Sequence, residues 1–278
     1  MMLLETRNLG RSFGGLLALE NLHLRVPEGA LYGLIGPNGA GKTTVFNLLS
    51  GFLPPTQGEI LFHGTNITGL PPEEITLLGV ARTFQNIRLF EDLSVLDNVL
   101  VGCQGRGRAT WWQAALRFPG YLQEEREYLA RSRALLKEVG LSEAASAKAG
   151  QLPYGHQRRL EITRALATRP RLLLLDEPAA GLNPQETQEL MDFLRAIHRE
   201  HHLTILVIEH NLRLVMGLCQ HLTVLDHGLT IAGGPPGAVR RHPEVIRAYL
   251  GKSEKKEKIN HRDTKSTEDH RVKKSFYF

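Results

Sequence analysis

The chain has 278 residues, 42% hydrophobic and 23% charged, ordinary values for a soluble globular protein long enough to bury a full core. Its formal charge of +5 is unevenly placed: residues 252–278 hold nine Lys or Arg against five Asp or Glu, a net of +4, which leaves +1 for residues 1–251. The body therefore lacks the net positive charge of a dedicated nucleic-acid binder, and its longest aliphatic run, Leu172–Leu175, is far below the roughly 20 residues of a membrane span. Cys103 and Cys219 are isolated, with neither metal-ligand nor disulfide spacing, so a reducing, cytosolic compartment is expected. Met1–Arg7 has no basic segment followed by an apolar core, and no signal peptide is expected.

In chain order, Leu3–Leu9 predicts a strand, Arg11–Gly15 a turn, and Leu19–Val26 a second strand closed by Pro27-Glu28-Gly29. Phe13 lies in that turn, where a lone aromatic by itself reads as packing. Ala30–Ile35 is short, mostly apolar and bounded by glycine, as a buried strand should be. It leads into Gly36-Pro37-Asn38-Gly39-Ala40-Gly41-Lys42-Thr43, which fits G-x-x-x-x-G-K-[ST], and Thr44–Leu49 then predicts a helix. Successive backbone N–H groups and a helix N-terminus make a cradle for anionic oxygens. Glycines let the backbone close on phosphate with no Cβ in the way. Lys42 is expected to reach the β- and γ-phosphates and the Thr43 hydroxyl to ligate Mg²⁺. The chain is expected to bind a nucleoside triphosphate.

Gly58–Phe62 predicts a strand, Pro71-Pro72-Glu73-Glu74 opens a short helix, and Gly79–Gln85 returns as a strand ending on a polar amide. Between about 93 and 150 a helical insertion of about fifty residues is expected, with helices at Val95–Leu100 and Tyr121–Val139. Within it Gly102–Arg108 offers a candidate partner contact, and Trp111-Trp112 reads first as packing and second as an interface. Gln151–Leu160 leads into a helix at Glu161–Ala167, and Leu172–Leu175 reads as a central parallel strand with Asp176-Glu177 at its C-terminal end. A helix at Pro184–Glu200 and a strand at Leu203–Ile208, ending on Glu209-His210, follow. A short helix, strands at His221–Asp226 and Leu229–Ala232 and a helix at Pro243–Leu250 finish the body. His198, His201 and His202 have no companion carboxylates or cysteines in their stretch and read as a solvated turn rather than a metal site. Residues 252–278, rich in Lys, Glu, Ser and Thr, are expected to be disordered.

An apolar strand ending in Asp176 supplies the Mg²⁺ carboxylate of a phosphate-loop NTPase, and Glu177 beside it is a candidate to activate the attacking water. With these residues in place, the chain resembles an ABC transporter ATP-binding subunit over nearly all of residues 1–251. The resemblance implies an α/β P-loop NTPase core with a parallel sheet, an antiparallel β subdomain and an α-helical subdomain at about 93–150. Gly36–Thr43 resembles the Walker A loop and Leu172–Asp176 the Walker B strand, while Ala180–Asn183 falls on the D-loop. Gln85, Glu177 and His210 fall on the Q-loop, the catalytic glutamate and the H-loop. Phe13 falls where the family stacks adenine, against its reading as packing. Ala81–Phe90, Gln157–Ile162, Asp176–Pro184 and Pro243–Gly251 are similar to the ATP-binding subunit of branched-chain amino acid importers.

The resemblance implies ATP and Mg²⁺ as cofactors, with Pro37, Asn38, Gly39, Ala40 and Thr44 completing the cradle and Thr43, Gln85 and Asp176 at the metal. It implies a head-to-tail dimer with a second ATP-binding subunit, identical or not, membrane permease subunits and an external solute-binding protein, at the cytoplasmic face of the membrane and without nucleic acid. The expected function is ATP hydrolysis powering uptake of amino acids, branched-chain ones first. The alternatives are a related exporter ATPase, such as one for lipopolysaccharide, and a soluble non-transport ABC ATPase. One stretch departs from the family: where its signature reads Leu-Ser-Gly-Gly-Gln, this chain has Leu152-Pro153-Tyr154-Gly155-His156. Pro153 offers neither a hydroxyl nor a backbone N–H to a phosphate held by the opposite subunit. A weakened signature is expected, with His156 as a partly compensating donor; the other reading is that Pro153 only presets the helix start while Gly155 and the helix dipole still bind phosphate.

Overall fold

The computed structural model describes residues 1–105 and 119–249. Its first half runs β1 (Met2–Phe13), β2 (Leu16–Leu22), β3 (Arg25–Pro27), β4 (Leu31–Ile35), α1 (Lys42–Leu49), β5 (Gln57–Phe62), β6 (Thr65–Asn66), α2 (Pro72–Leu78), β7 (Val80–Arg82) and α3 (Val95–Gln104). Then come α4 (Pro119–Glu138), α5 (Tyr154–Ala167), β8 (Leu172–Asp176), α6 (Pro184–Glu200), β9 (Thr204–Ile208), α7 (Leu212–Leu218), β10 (His221–Asp226), β11 (Leu229–Gly234) and α8 (Pro236–Val239). Residues 243–249 are helical.

An antiparallel sheet of order β2-β1-β5-β6, with β3 also paired to β1, lies beside a six-stranded sheet of order β11-β10-β4-β9-β8-β7. In the second sheet every pairing except the β10–β11 hairpin is parallel. The reason is legible in β8: all five of its residues are buried, because helices cover one face and α1 with the antiparallel sheet covers the other. Leu173 and Leu175 join the cluster that α3, α5, α6 and α7 share, while Leu172 and Leu174 join the cluster of α1, β1 and β5. Side chains alternate across a strand, so one run of leucines feeds two cores. Each leucine so buried stabilises by about 1.5–3 kcal/mol.

Several expected boundaries shift, and β1 runs on through Phe13 into the stretch expected as a turn. The single strand at Leu19–Val26 is two, β2 and β3, because Asn21 takes a positive φ of 46° and the Leu24 amide turns to donate to Thr6 Oγ1 at 2.8 Å. The strand over Gly79–Gln85 shortens to β7, since Gly79, at φ 111°, closes α2 and the chain leaves the sheet after Arg82. The helix expected from Glu161 begins at Tyr154, with Pro153 at its N-cap in the extended conformation that feeds a helix. Residues 106–108, Trp111, Trp112 and the charged segment 252–278 lie outside the described residues.

The spatial order β4-β9-β8-β7 sets the C-terminal ends of four parallel strands side by side. Their loops begin at Gly36, Glu209, Glu177 and Thr83. Open α/β sheets place their chemistry at this edge.

Candidate functional site

The loop after β4 winds into α1 through Gly41, whose φ of 99° is reached without strain only by glycine, and a Cβ there would stand 2.7 Å from the Ala18 carbonyl oxygen. At Gly36 a Cβ would stand 2.1 Å from the Leu225 carbonyl oxygen. No side chain caps α1 and its first turn has no acidic residue, so its N-terminal amides and dipole face the loop uncompensated. Lys42 is buried, and its Nζ donates to the carbonyls of Gly36 (2.8 Å) and Pro37 (3.0 Å). The ammonium is thus held inside the loop by acceptors weaker than a phosphate oxygen. A cleft of about 790 Å³ opens on the loop, lined by Asn38, Gly39, Ala40, Gly41, Lys42, Thr43 and Thr44 together with Gln85, Glu177 and His210. Leu16, Leu17, Ala18 and His227 complete its wall. Phe13 stands at the end of β1, 42% exposed and outside that lining, with the Arg11 guanidinium 4.8 Å from its ring centre.

Glu177 follows β8 with a positive φ of 46°, a conformation that costs a non-glycine residue of order 1–3 kcal/mol and that collects at functional sites. Its amide donates to the Ile208 carbonyl at 2.9 Å, which fixes the turn against β9. Its Oε2 accepts from Gln85 Nε2 at 2.9 Å and stands 3.5 Å from His210 Nδ1. Loop residues 92 apart in sequence thereby meet at one carboxylate oxygen. Asp176 lies one residue deeper, buried, with Oδ2 accepting from Arg82 Nη2 at 2.9 Å. Thr43, Gln85 and Asp176 offer a hydroxyl, an amide carbonyl and a carboxylate, the hard oxygen donors that suit Mg²⁺. Because Gln85 spends its Nε2 on Glu177, its carbonyl oxygen is the end left for a cation.

The departing signature residues are not in this cleft. Pro153 caps α5 without a side-chain hydrogen bond, and Pro153, Gly155 and His156 line a separate cavity of about 90 Å³ with Arg159, Leu182 and Glu186. Tyr154, 43% exposed, lays its ring on Gly181, where a Cβ would come within 3.2 Å of Cε1.

Several charged residues organise these loops although the sequence reading gave them no role. Buried Glu209 accepts at Oε1 from the Ala179 amide (2.9 Å) and at Oε2 from the amides of His210 and Asn211 (both 3.1 Å), tying the loop after Glu177 to the loop of His210. Burial pushes its pKa up, and the amide bonds act against that. Arg158, fully buried, donates to the carbonyls of Phe84 and Gln85 (2.8 Å each) and to Glu161 Oε2 (2.9 Å), while Glu161 Oε1 accepts from the Arg88 amide (3.1 Å). The signature helix thereby grips both flanks of Gln85. A charge placed directly after an apolar strand, as Glu209 is, was the available signal; the Arg158–Glu161 pair at i,i+3 was another. The histidine turn also needs correcting. His201 does have carboxylate companions: Glu200, its neighbour in the sequence, and Glu138, which the fold brings from the end of α4 so that its Oε1 lies 2.8 Å from His201 Nε2 in an exposed contact.

A family model described as ABC transporter matches residues 19–180, and one described as branched-chain amino acid ATP-binding cassette transporter matches residues 230–255. The chain belongs to the ABC transporter family. It is 46% identical over 251 residues to the high-affinity branched-chain amino acid transport ATP-binding protein BraF of Pseudomonas aeruginosa, covering 90% of this chain and 98% of the relative. Against LivG of Escherichia coli K12, of the same description, identity is 45% with the same coverage. The ADP conformation of MJ1267, an ATP-binding cassette of an ABC transporter, is 32% identical with a TM-score of 0.80, over 90% of this chain and 99% of that one. A dimeric post-hydrolysis state of the cassette MJ0796, bound to ADP and Pi, is 25% identical with a TM-score of 0.70, over 84% and 98% of the two chains. This ABC cassette binds nucleotide and is an ATPase, with the P-loop ABC fold expected from its motifs. Among the described residues no helix is long and apolar enough to cross a membrane.

Proposed function

We propose that this cassette hydrolyses MgATP to power import of branched-chain amino acids, as one of two ATP-binding subunits beneath permease subunits at the cytoplasmic face of the membrane, with a solute-binding protein outside. The observation that carries the cargo is the 45–46% identity along 98% of relatives named for that transport, seconded by the match at 230–255. In this reading residues 1–251 form one ATP-binding domain, with residues 93–150 as its helical subdomain and 252–278 as an extension. A groove of about 640 Å³ lined by Arg88, Leu89, Phe90 and Arg164 supports a seat for a permease helix next to Gln85; Phe90 there is 49% exposed.

Triphosphate entering the cleft offers Lys42 stronger acceptors than the Gly36 and Pro37 carbonyls, so Nζ moves to the β- and γ-oxygens while the loop amides hold the rest. Mg²⁺, held by Thr43, Gln85 and Asp176, would neutralise charge on the β- and γ-oxygens. Glu177 takes the proton of the attacking water, its carboxylate aimed by Gln85 and its backbone fixed against β9. His210, 3.5 Å from the same carboxylate, contacts the γ-phosphate and holds the in-line geometry. Pro153, Tyr154, Gly155 and His156 lie outside the cleft that holds Lys42, which supports their acting on the partner subunit's nucleotide. Phe13 is read as the adenine platform, with Arg11 displaced from its face.

Replacing Glu177 by Gln should leave ATP binding intact and cut turnover by about 10²–10⁴-fold; appreciable hydrolysis by that variant would exclude Glu177 as the base. Purification of the intact complex, with its membrane subunits identified and leucine uptake measured in proteoliposomes, tests the cargo.

A further inference from the structure

Arg82 falls in the Ala81–Phe90 stretch, where it was given no role of its own, yet it occupies a crossing point of the nucleotide core. It ends β7 beside β8, and its side chain is buried with that of Asp176. Nη2 donates to Asp176 Oδ2 at 2.9 Å, and Nη1 donates to Asn47 Oδ1 at 2.8 Å and Ser50 Oγ at 2.9 Å. The rings of Phe46, Phe52 and Phe84 surround the guanidinium carbon at 5.5, 5.8 and 5.0 Å. The planar fork is thus held from three sides by π faces and committed to three oxygen acceptors.

What those acceptors have in common gives the arrangement its meaning. Asn47 lies on α1, the helix that carries Thr43, and Ser50 is its C-cap; Asn47 is four residues on from Thr43, on the same helix face. Asp176 comes from β8, 94 residues from Arg82 in sequence. Thr43 and Asp176 are two of the three residues read above as Mg²⁺ ligands, and one guanidinium ties the helix of the first to the carboxylate of the second. A free aspartate at a strand end rotates about χ1 and χ2; with Oδ2 held on Arg82, its other oxygen points in one direction only. Arg82 also lines the outer groove with Arg88, Phe90 and Glu161, so it has the groove on one side and Asp176 on the other.

We propose that Arg82 is a positioning residue for Asp176, fixing the carboxylate and α1 in the relative geometry that Mg²⁺ needs in the nucleotide site. The proposal rests on the reading of Asp176 and Thr43 as Mg²⁺ ligands. Lys in place of Arg82 keeps the charge but offers a point donor in place of a fork, and reaches one acceptor where Arg reaches three.

The test is ATP affinity of the full-length chain, by calorimetry, with Mg²⁺ and with EDTA. The readout is the ratio of the two affinities, which a merely structural loss does not move. Arg82→Lys is expected to lower that ratio by about tenfold while the affinity in EDTA stays within about twofold of wild type, the scale of one charge-assisted hydrogen bond. Asn47→Ala, which frees one side of the guanidinium and leaves the Asp176 bond in place, should lower it by less, and it keeps the question open to measurement if Arg82→Lys unfolds. Asp176→Asn serves as the reference. Loss of the Mg²⁺ gain in Asp176→Asn with wild-type ratios in both other variants would overturn the role of Arg82 and spare that of Asp176. An unchanged ratio in Asp176→Asn would overturn the reading of Asp176 itself.

Discussion

The phosphate loop and the signature segment are both chain entering a helix without a side-chain cap, and they do so in opposite ways. At the loop, Gly41 takes a left-handed conformation and the amides ahead of α1 turn inward on a cleft, with Lys42 already inside. At the signature, Pro153 removes an N–H at the position before α5, and the residues around it border a cavity of about 90 Å³ against 790 Å³. The loop is a complete cradle within one chain. The signature is a helix end outside that cleft, proposed above to meet the partner subunit's phosphate, and Pro153 leaves it two donors fewer to offer. Its precision comes from behind, where Arg158 and Glu161 fasten its helix to the backbone around Gln85.

The largest effect should come from emptying the cradle. Lys42→Ala removes the cation of the loop and should lower turnover by on the order of 10²–10³-fold, with a matching loss of ATP affinity in an equilibrium titration; near-normal turnover would mean that the loop amides suffice. Next is the support behind the signature. Arg158→Met leaves Glu161 buried without its cation and should cost about 3–5 kcal/mol in denaturant unfolding. If stability barely changes, the pair is not the anchor described here.

The comparison is sharpened from the other side by restoring what the signature lacks. Pro153→Ser supplies a hydroxyl and an N–H, and one charge-assisted bond of about 1.5–3 kcal/mol predicts a rise in steady-state ATP turnover of the assembled complex of about ten- to hundredfold. Unchanged turnover would assign Pro153 to helix initiation alone. The smallest effect concerns Glu209, whose folded pKa burial raises above the ordinary value of 4.5. The folded chain then holds that proton more tightly than the unfolded one, so the stabilisation is full below pH 4.5 and is lost as pH rises through the folded value. Measured against Glu209→Gln, wild-type stability should fall with pH across that window; parallel curves would show that Glu209 titrates alike in both states.

The residues of the site were legible where chemistry sits in one stretch or at the end of an apolar run. Gly36–Thr43 is contiguous, and Asp176, Glu177 and His210 each close or follow a strand whose hydrophobicity announces it. The fold followed for the same reason: strands buried on both faces read as unbroken leucine, isoleucine and valine. Arg82, Arg158, Glu161 and Glu209 were not legible as a set, because a lone charge in a helix or strand looks like a solvated face until its partners are known. Those partners lie as far away as the 94 residues from Arg82 to Asp176. The start of α5 was misread for a related reason, since a polar, proline-led stretch looks like a loop unless its later turns are seen to pack.

The sequence by itself determined the phosphate cradle and the order of the strands that feed it, because local backbone geometry and the period of apolar residues are written along the chain. Only the tertiary structure decided which charges hold which loops. A buried hydrogen bond is set by two groups meeting where water cannot compete, and that meeting is a property of the packed sheet, not of either residue. Arg82 shows the limit most clearly: its identity is plain in the sequence, and its three oxygen acceptors appear only once β7, β8 and α1 are side by side.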